Sequence, residues 1–267
     1  MFSFLKPVLK PARPKPAAKR KALAPSRPRA VAPPPRMMAL AHIPVPVEVR
    51  VSLRSRRLSM RVDPVRNMVR ISTPPAIPDV EIHKFIGRHL EWLHRRLSAV
   101  PPEYPFADGA VVPILGVDHV IRHQPGSRAA PRLVTGTEEG PLLLVGGEKD
   151  FLARRVTSFL KAEAKRVMAE RSRAKAALIG AKVASVTVRD TRSRWGSCSA
   201  AGRLSYCWRL ILAPDAVLDY VVAHEVAHLR EMNHSAQFWE LCARLTPAVL
   251  GPRDWLRAHG ARLHRYG

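Results

Sequence analysis

The segment HEVAHLREMNH, residues 224–234, constrains the local fold strongly because it places three histidines in eleven residues. Residues four apart in an α-helix lie one turn apart on the same face, so His224 and His228 can direct two imidazoles at one ion. Glu225 lies next to the first histidine and can act on a water molecule there without being a ligand itself. The pattern therefore predicts a buried helix that carries a zinc site and an adjacent base.

His234 limits where this helix can end. In an unbroken helix it would lie about 15 Å along the axis from His224, far beyond a zinc–nitrogen bond of about 2.0 Å. Asn233 tolerates a left-handed backbone and Ser235 is a suitable N-cap, so a helix break is expected around Met232–Asn233. Three histidine ligands would leave a fourth position open, as a catalytic zinc requires, although such sites also bind cobalt, nickel or manganese.

Two other interpretations of these residues are weaker. The first two histidines could be buried and bonded to the backbone, with His234 as a surface cap, but such a polar set is costly to bury without partners. Cys198 or Cys207 could join the histidines in a closed structural site, but no C-x-x-C pair supports this. The cysteines are therefore predicted to be packing residues. Their odd number, three, favours reduced thiols and a cytoplasmic protein.

The composition indicates a folded and strongly basic protein. The 267 residues are 46% hydrophobic, and 45 Lys and Arg against 21 acidic residues give a formal net charge of +24. Such a surface attracts polyanions. No apolar run approaches the roughly 18 residues of a membrane span, and lysine and proline interrupt the apolar N-terminal stretch. The chain is therefore predicted to have no membrane span and not to be secreted.

Residues 1–44 are predicted to form a disordered, basic, proline-rich tail. Up to His42 this segment contains ten Lys or Arg and no acidic residue. It cannot bury enough apolar area to offset its ordering entropy. The tail could contact a polyanion or act as an import signal, or it could be a solvating extension. Because it lacks amphipathic periodicity, the last interpretation is favoured.

Beyond the tail, periodicity predicts an α+β fold in one domain, residues 45–267. Its N-terminal half, residues 45–145, has the polar–apolar alternation of strands and one amphipathic helix over residues 78–97. Its C-terminal half, residues 146–267, begins with a long amphipathic helix. A hairpin is expected next, in which RWGSCSAAG is the turn between a strand around Val186 and a return strand at 203–212. Three further helices follow, the first of which carries the histidines.

Several of these segments resemble one known family. RDTRSRWGSCS, LDYVVAHEVAHLREMNHSAQFW and the following Pro247 are similar to motifs of the YgjP-like metallopeptidases, which are related to SprT-like and minimal gluzincin-type zincins. VRVSLRSRRLSMRV and EWLHRRL fit the N-terminal half of that family, so the resemblance covers about residues 45–265. Metzincins space their histidines similarly, but this chain has Glu231 where they place a turn glycine.

The resemblance implies a compact α+β zincin, with a β-rich N-terminal part and a zincin-like catalytic part of helices and sheet. In such a protein, zinc would be held by His224, His228 and His234, and Glu225 would be the catalytic carboxylate. Glu225 is expected to take a proton from the attacking water and pass it to the leaving group. The oxyanion formed needs a second donor. Candidate donor, substrate-binding and cleft-rim residues are Arg192, Arg194, Trp195, Tyr206 and Tyr220.

Three functions remain open at this point. The helix motif and the resemblance favour a zinc-dependent metallopeptidase, and an edge strand of the expected hairpin could pair with an extended peptide. The alternative is hydrolysis of a phosphoanhydride in a nucleoside triphosphate, which a basic surface with arginines beside the site would attract. The second alternative is a non-enzymatic nucleic-acid-binding protein, although the sequence has neither an aromatic platform nor a reading helix.

Overall fold

The computed structural model describes residues 31–247 and 250–267. Most of the predicted basic tail, residues 1–30, lies outside these ranges. The described part of the tail contains a strand, Arg36–Met38 (β1), which pairs with the next strand in antiparallel orientation. Ordered structure therefore begins before residue 45, where the sequence analysis placed the start of the domain.

The α+β class is confirmed in the described residues, which form six α-helices and three sheets. The first sheet has the order β1-β2-β4-β3, with β2 and β4 parallel. Two helices pack on it and form a first hydrophobic core that includes Val49, Ile71, Ile82 and Leu93. The bounds of these elements are β2 Val47–Val51, β3 Ser59–Asp63, β4 Met68–Thr73, α1 Asp79–Arg88 and α2 Leu90–Ser98.

The single helix predicted over residues 78–97 is wrong, because the chain breaks into α1 and α2 at His89. This residue has φ −118° and ψ 17°, outside the helical region. Its Nδ1 lies 2.8 Å from the carbonyl oxygen of Phe85, one turn earlier. A side chain bonded to a nearby carbonyl competes with the backbone ladder, and the helix restarts at Leu90.

A second sheet and the long helix α3 belong to a larger core. The sheet has the order β5-β6-β8-β7, with β6 and β8 parallel. Ile121 and Leu143 of this sheet share a core with Leu160 of α3 and with the C-terminal elements. The second sheet therefore packs with the C-terminal elements, although it belongs to the predicted β-rich half, residues 45–145. The bounds are β5 Val111–Ile114, β6 Val117–Gln124, β7 Arg132–Thr137, β8 Gly140–Gly146 and α3 Leu152–Leu178.

The third sheet differs from the predicted hairpin. Its order is β10-β11-β9, and β9 Ser185–Arg189 runs parallel to β11 Arg203–Cys207. The antiparallel partner of β11 is β10 Gly196–Cys198, which lies inside the segment predicted to be a turn. A three-residue strand of small residues has no apolar alternation to indicate it. The return strand also ends early, because Trp208–Leu212 forms a 3-10 helix.

Three helices complete the chain: α4 Asp215–Ala227, α5 Ala236–Leu245 and α6 Leu250–Leu263. Helix α4 is central, because it packs against α3, α5, α6 and β10. Among the described residues, no helix combines the length and apolar character that crossing a membrane requires.

Arg209 joins the third sheet to the C-terminus of the chain. It is buried, and its Nε donates to Asp190 Oδ1 at 2.9 Å. Its Nη1 donates to the carbonyl oxygens of Leu263, at 3.1 Å, and Tyr266. The guanidinium therefore links Asp190, which follows β9, to two carbonyl groups near the C-terminus.

Arg209→Ala is expected to lower the free energy of unfolding by about 2–3 kcal/mol, since charge-assisted hydrogen bonds are lost and their acceptors stay partly buried. Urea denaturation followed by circular dichroism measures the change. Arg257→Ala is the control, because Arg257 is 66% exposed and, among the residues that the structure describes, pairs only with Asp254 on its own helix; a loss below about 0.5 kcal/mol is expected there. Equal effects of the two substitutions would contradict the role given to Arg209.

Candidate metal centre

Helix α4 carries the metal-binding motif through the middle of the larger core. Apolar side chains on both sides of the motif, including Val222 and Val226, are fully buried. Asp219 fixes the helix laterally, because its carboxylate accepts hydrogen bonds from Lys175 Nζ of α3 and Thr246 Oγ1 after α5, each at 3.0 Å. The backbone that presents the motif is therefore held on several sides.

The helix ends at Ala227, earlier than the predicted break around Met232–Asn233. The backbone N–H groups of Leu229 and Arg230 donate to carbonyls three residues earlier, each at 3.0 Å, which tightens the last turn. Asn233 does not have a left-handed backbone, because the described non-glycine residues with positive φ are Asn67, Ala76 and Leu115. The prediction of a left-handed residue at Asn233 is therefore wrong. The N-cap role of Ser235 is confirmed, because its Oγ accepts from Phe238 N at 3.4 Å.

The early end of α4 brings the three histidines together. Their ring centroids lie 5.0, 5.0 and 4.9 Å apart, which is close to an equilateral triangle. The Nε2 atoms of His224 and His234 are 3.1 Å apart, and one ligand nitrogen of each histidine lies within 4.8 Å of the other two. Two nitrogens bound to one tetrahedral zinc are about 3.3 Å apart, so this donor set fits the ion.

The protonation of the histidines also suits a metal ligand set. His228 Nδ1 lies 2.9 Å from the carbonyl oxygen of Glu231, an acceptor, so Nδ1 carries the proton and Nε2 is left free. Burial, with smaller effects from His228 and His234, lowers the pKa of His224 to about 4. This ring is therefore neutral at neutral pH, and its nitrogen lone pair is available.

Two aromatic residues of α5 form the floor beneath the histidines, and the sequence analysis did not identify either. Phe238 is fully buried, and its ring centroid lies 4.9, 4.6 and 4.7 Å from those of His224, His228 and His234. Trp239 lies 5.7 Å from His234. The sequence signal for both residues is their position in the first turn after the N-cap Ser235, which follows His234 directly. That position predicts that they lie near the histidines.

The Glu225 side chain packs against strand β10. A Cβ atom built on Gly196 would lie 2.4 Å from Glu225 Oε1 and 2.6 Å from its Cγ, so the carboxylate occupies the space that any side chain at position 196 would need. Burial raises the pKa of Glu225 to about 7, and Arg194 opposes this effect. Cys198, two residues along the same strand, also faces this carboxylate, since burial and Glu225 raise its thiol pKa to about 11.

The other predicted site residues divide into two groups. Arg194 and Tyr220 lie close to the centre: the charge of Arg194 acts on Glu225, and the Tyr220 ring is 6.0 Å from His224. Tyr206 is 1% exposed, and its hydroxyl is 3.0 Å from Ser172 Oγ of α3, so it serves the core. Trp195 and Arg192 lie on the loop between β9 and β10 and line a cavity there. Cys207 and Cys242 are fully buried.

Comparison with known families agrees with this geometry. Residues 56–259 match the model of the YgjP-like, metallopeptidase domain family. Since the match covers well over half of the chain, the protein belongs to the YgjP-like metallopeptidase family, and the predicted resemblance is confirmed. It follows that the protein is of the metalloprotease class of hydrolases. No curated protein and no solved structure matches the chain.

Gly196→Ala is expected to lower kcat for peptide hydrolysis about tenfold to a hundredfold and to leave bound zinc and KM nearly unchanged. The added methyl group must displace the Glu225 carboxylate, and a displacement of about 1 Å is enough for such a loss. Steady-state kinetics and metal analysis measure these quantities.

Gly87→Ala is the matched control, because a Cβ there would meet no atom within 4 Å. A wild-type kcat in Gly196→Ala would show that the carboxylate does not need the space beside β10.

Proposed function

We propose that this protein is a zinc-dependent peptidase in which His224, His228 and His234 hold the metal and Glu225 is the general base. The observation that carries the proposal is the convergence of three imidazoles, with the buried carboxylate of Glu225 next to His224 on the same helix. When bound, zinc supplies a Lewis acid that lowers the pKa of water and polarises a carbonyl group.

In this proposal Glu225 transfers a proton from water to the leaving group. Its pKa, raised to about 7 by burial, lies near neutral pH, where one group can both accept a proton and release it. The carboxylate takes a proton from the attacking water and delivers it to the amine leaving group. Contact with β10 restricts its motion, because the carboxylate fills the space beside Gly196 that a side chain would otherwise occupy.

Strand β10 gives the peptide substrate a place to bind. It lies at one edge of the described sheet, and its antiparallel pairing with β11 uses one of its two edges. The other edge can accept an extended peptide through backbone hydrogen bonds. A peptide in that position passes beside Glu225. Tyr220 is the stronger of the two predicted tyrosine donors, because it lies beside His224 whereas the Tyr206 hydroxyl is bonded within the core.

Glu225→Gln is expected to retain zinc and to lower kcat for peptide hydrolysis by about 10²- to 10⁴-fold, because the amide has the same shape but accepts no proton. Metal analysis and hydrolysis of unstructured, casein-like peptides are the measurements. If the purified variant hydrolyses peptides at the wild-type rate, Glu225 is not the base.

His234→Ala is expected to weaken zinc binding by at least about a hundredfold, since loss of even an outer-sphere partner costs ten- to a hundredfold. Titration against a chelator of known affinity measures the change. His259→Ala is the control, because His259 is an exposed histidine outside the cluster. Unchanged zinc affinity in His234→Ala would remove the third ligand from the proposal.

The two alternative functions make different demands. Hydrolysis of nucleoside triphosphates would also require zinc and Glu225, so the same pair of proteins must be assayed with both substrates. A nucleic-acid-binding protein would show a steep salt dependence of binding that Glu225→Gln leaves unchanged. The metallopeptidase family favours the peptide substrate over both.

A further inference from the structure

A cavity of about 190 Å³ lies between the loop that precedes β10, helix α6 and Val65 of the turn between β3 and β4. Arg192, Arg194 and Trp195 line it from the loop, Leu256 lines it from α6, and His264 lines it from the position just after that helix. Trp195 is followed directly by Gly196, which contacts Glu225. The cavity therefore adjoins the point at which an extended peptide on β10 would pass the base.

The two arginines of this cavity are not paired with any acid that lines it, although the charge of Arg194 also acts on Glu225. Both are exposed, and neither forms a salt bridge with any residue that the structure describes. The acids whose charges reach His264 are Asp190 and Asp63. Asp190 pairs with Arg209 at 2.9 Å, and Asp63 pairs with Arg70 at 3.1 Å. None of the residues that line the cavity is acidic.

The loop that carries these arginines is held in place. Thr191 Oγ1 donates to the carbonyl oxygen of Arg194 at 2.9 Å, and Cys207 N donates to that of Trp195 at 2.8 Å. The Trp195 ring stacks on His264 with centroids 4.9 Å apart. A Cβ atom on Gly260 would lie 2.9 Å from this indole, so the ring packs closely on α6. The wall of the cavity is therefore formed before a substrate binds.

We propose that this cavity is a specificity pocket that holds an acidic side chain, Asp or Glu, of a peptide substrate, next to the bond that is cleaved. Arg192 and Arg194 bind the carboxylate, and Trp195 and Leu256 contact its aliphatic stem. The proposal rests on the peptidase function proposed above. Guanidinium groups bind carboxylates through two parallel hydrogen bonds, which gives both affinity and orientation.

The size of the cavity favours a side chain over a nucleotide. Sites for drug-sized ligands and cofactors measure roughly 300–1,000 Å³, whereas this cavity measures about 190 Å³. Its apolar wall also suits a carboxylate on a short hydrocarbon stem better than a row of phosphates. The remaining arginines of this region, such as Arg209, already bind carbonyl and carboxylate groups.

The test uses a set of peptides with one fixed sequence, in which a single position carries Glu, Gln or Lys. Separate sets place this variable residue at each position on either side of the cleaved bond. The zinc-loaded wild type is expected to cleave the Glu peptide, at one position, with a kcat/KM at least tenfold above that of the Gln peptide. The double variant Arg192→Glu/Arg194→Glu is expected to lose this preference and to favour Lys at the same position. Arg192→Glu alone should reduce the preference for Glu, since Arg194 remains in the cavity to bind the carboxylate.

Arg56→Glu/Arg57→Glu is the matched control. These two arginines are also exposed on a loop, between β2 and β3, and their reversal changes the net charge by the same amount. This control is expected to keep the wild-type preference for Glu. Zinc content and circular dichroism of all variants show that fold and metal are retained.

The outcomes separate the pocket from the underlying function. One result is that the wild type cleaves the Glu, Gln and Lys peptides equally well, at a rate that Glu225→Gln abolishes. That result would overturn the acidic pocket and leave the proposed peptidase function intact. If the zinc-loaded wild type cleaves no peptide, both proposals fail. A third result is hydrolysis of nucleoside triphosphates that the double variant Arg192→Glu/Arg194→Glu loses, with no preference for acidic residues in peptides. It would show that the two arginines bind phosphate, and it would overturn the acidic pocket.

Discussion

The early end of α4 is the constraint on which the metal centre depends. His224 and His228 are placed by helical geometry alone, but His234 can join them only because the helix stops at Ala227 and the chain turns back. Arg230 anchors this turn, since its guanidinium donates to the carbonyl oxygens of Ile179, at 3.1 Å, and Gly180 at the end of α3. The geometry of the ligands is thus set by contacts outside the motif.

The contact between α4 and β10 links the chemistry to substrate recognition. Gly196 leaves space for the Glu225 carboxylate, and the free edge of the same strand is the proposed peptide site. The loop that precedes β10 carries Arg194 and Trp195. One short segment of chain therefore confines the base, exposes a sheet edge and forms one wall of the adjoining cavity. A side chain at position 196 would overlap the Glu225 carboxylate, which explains why glycine occupies that position.

The strong positive charge of the protein has more than one physical role. Arg209 and Arg230 bind backbone carbonyls and help to hold the fold together. Asp63 and Asp190 neutralise other arginines near the cleft. Arg192 and Arg194, on the loop before β10, are among the arginines that form no salt bridge in the described part of the chain and so remain available to a ligand. A formal charge of +24 thus indicates anion attraction in general, whereas the pairing of individual side chains identifies where an anion can bind.

The sequence by itself determined the α+β class and the N-cap at Ser235, and it predicted the three histidines that the structure brings together, because these follow from helical spacing and local hydrogen bonding. Only the tertiary structure decided where α4 ends, that β10 pairs with β11 inside an expected turn, and that Phe238 lies beneath the histidines. It also separated Tyr220, beside the centre, from Tyr206, in the core. These features depend on contacts between residues distant in the chain, which leave no periodic signal in the sequence.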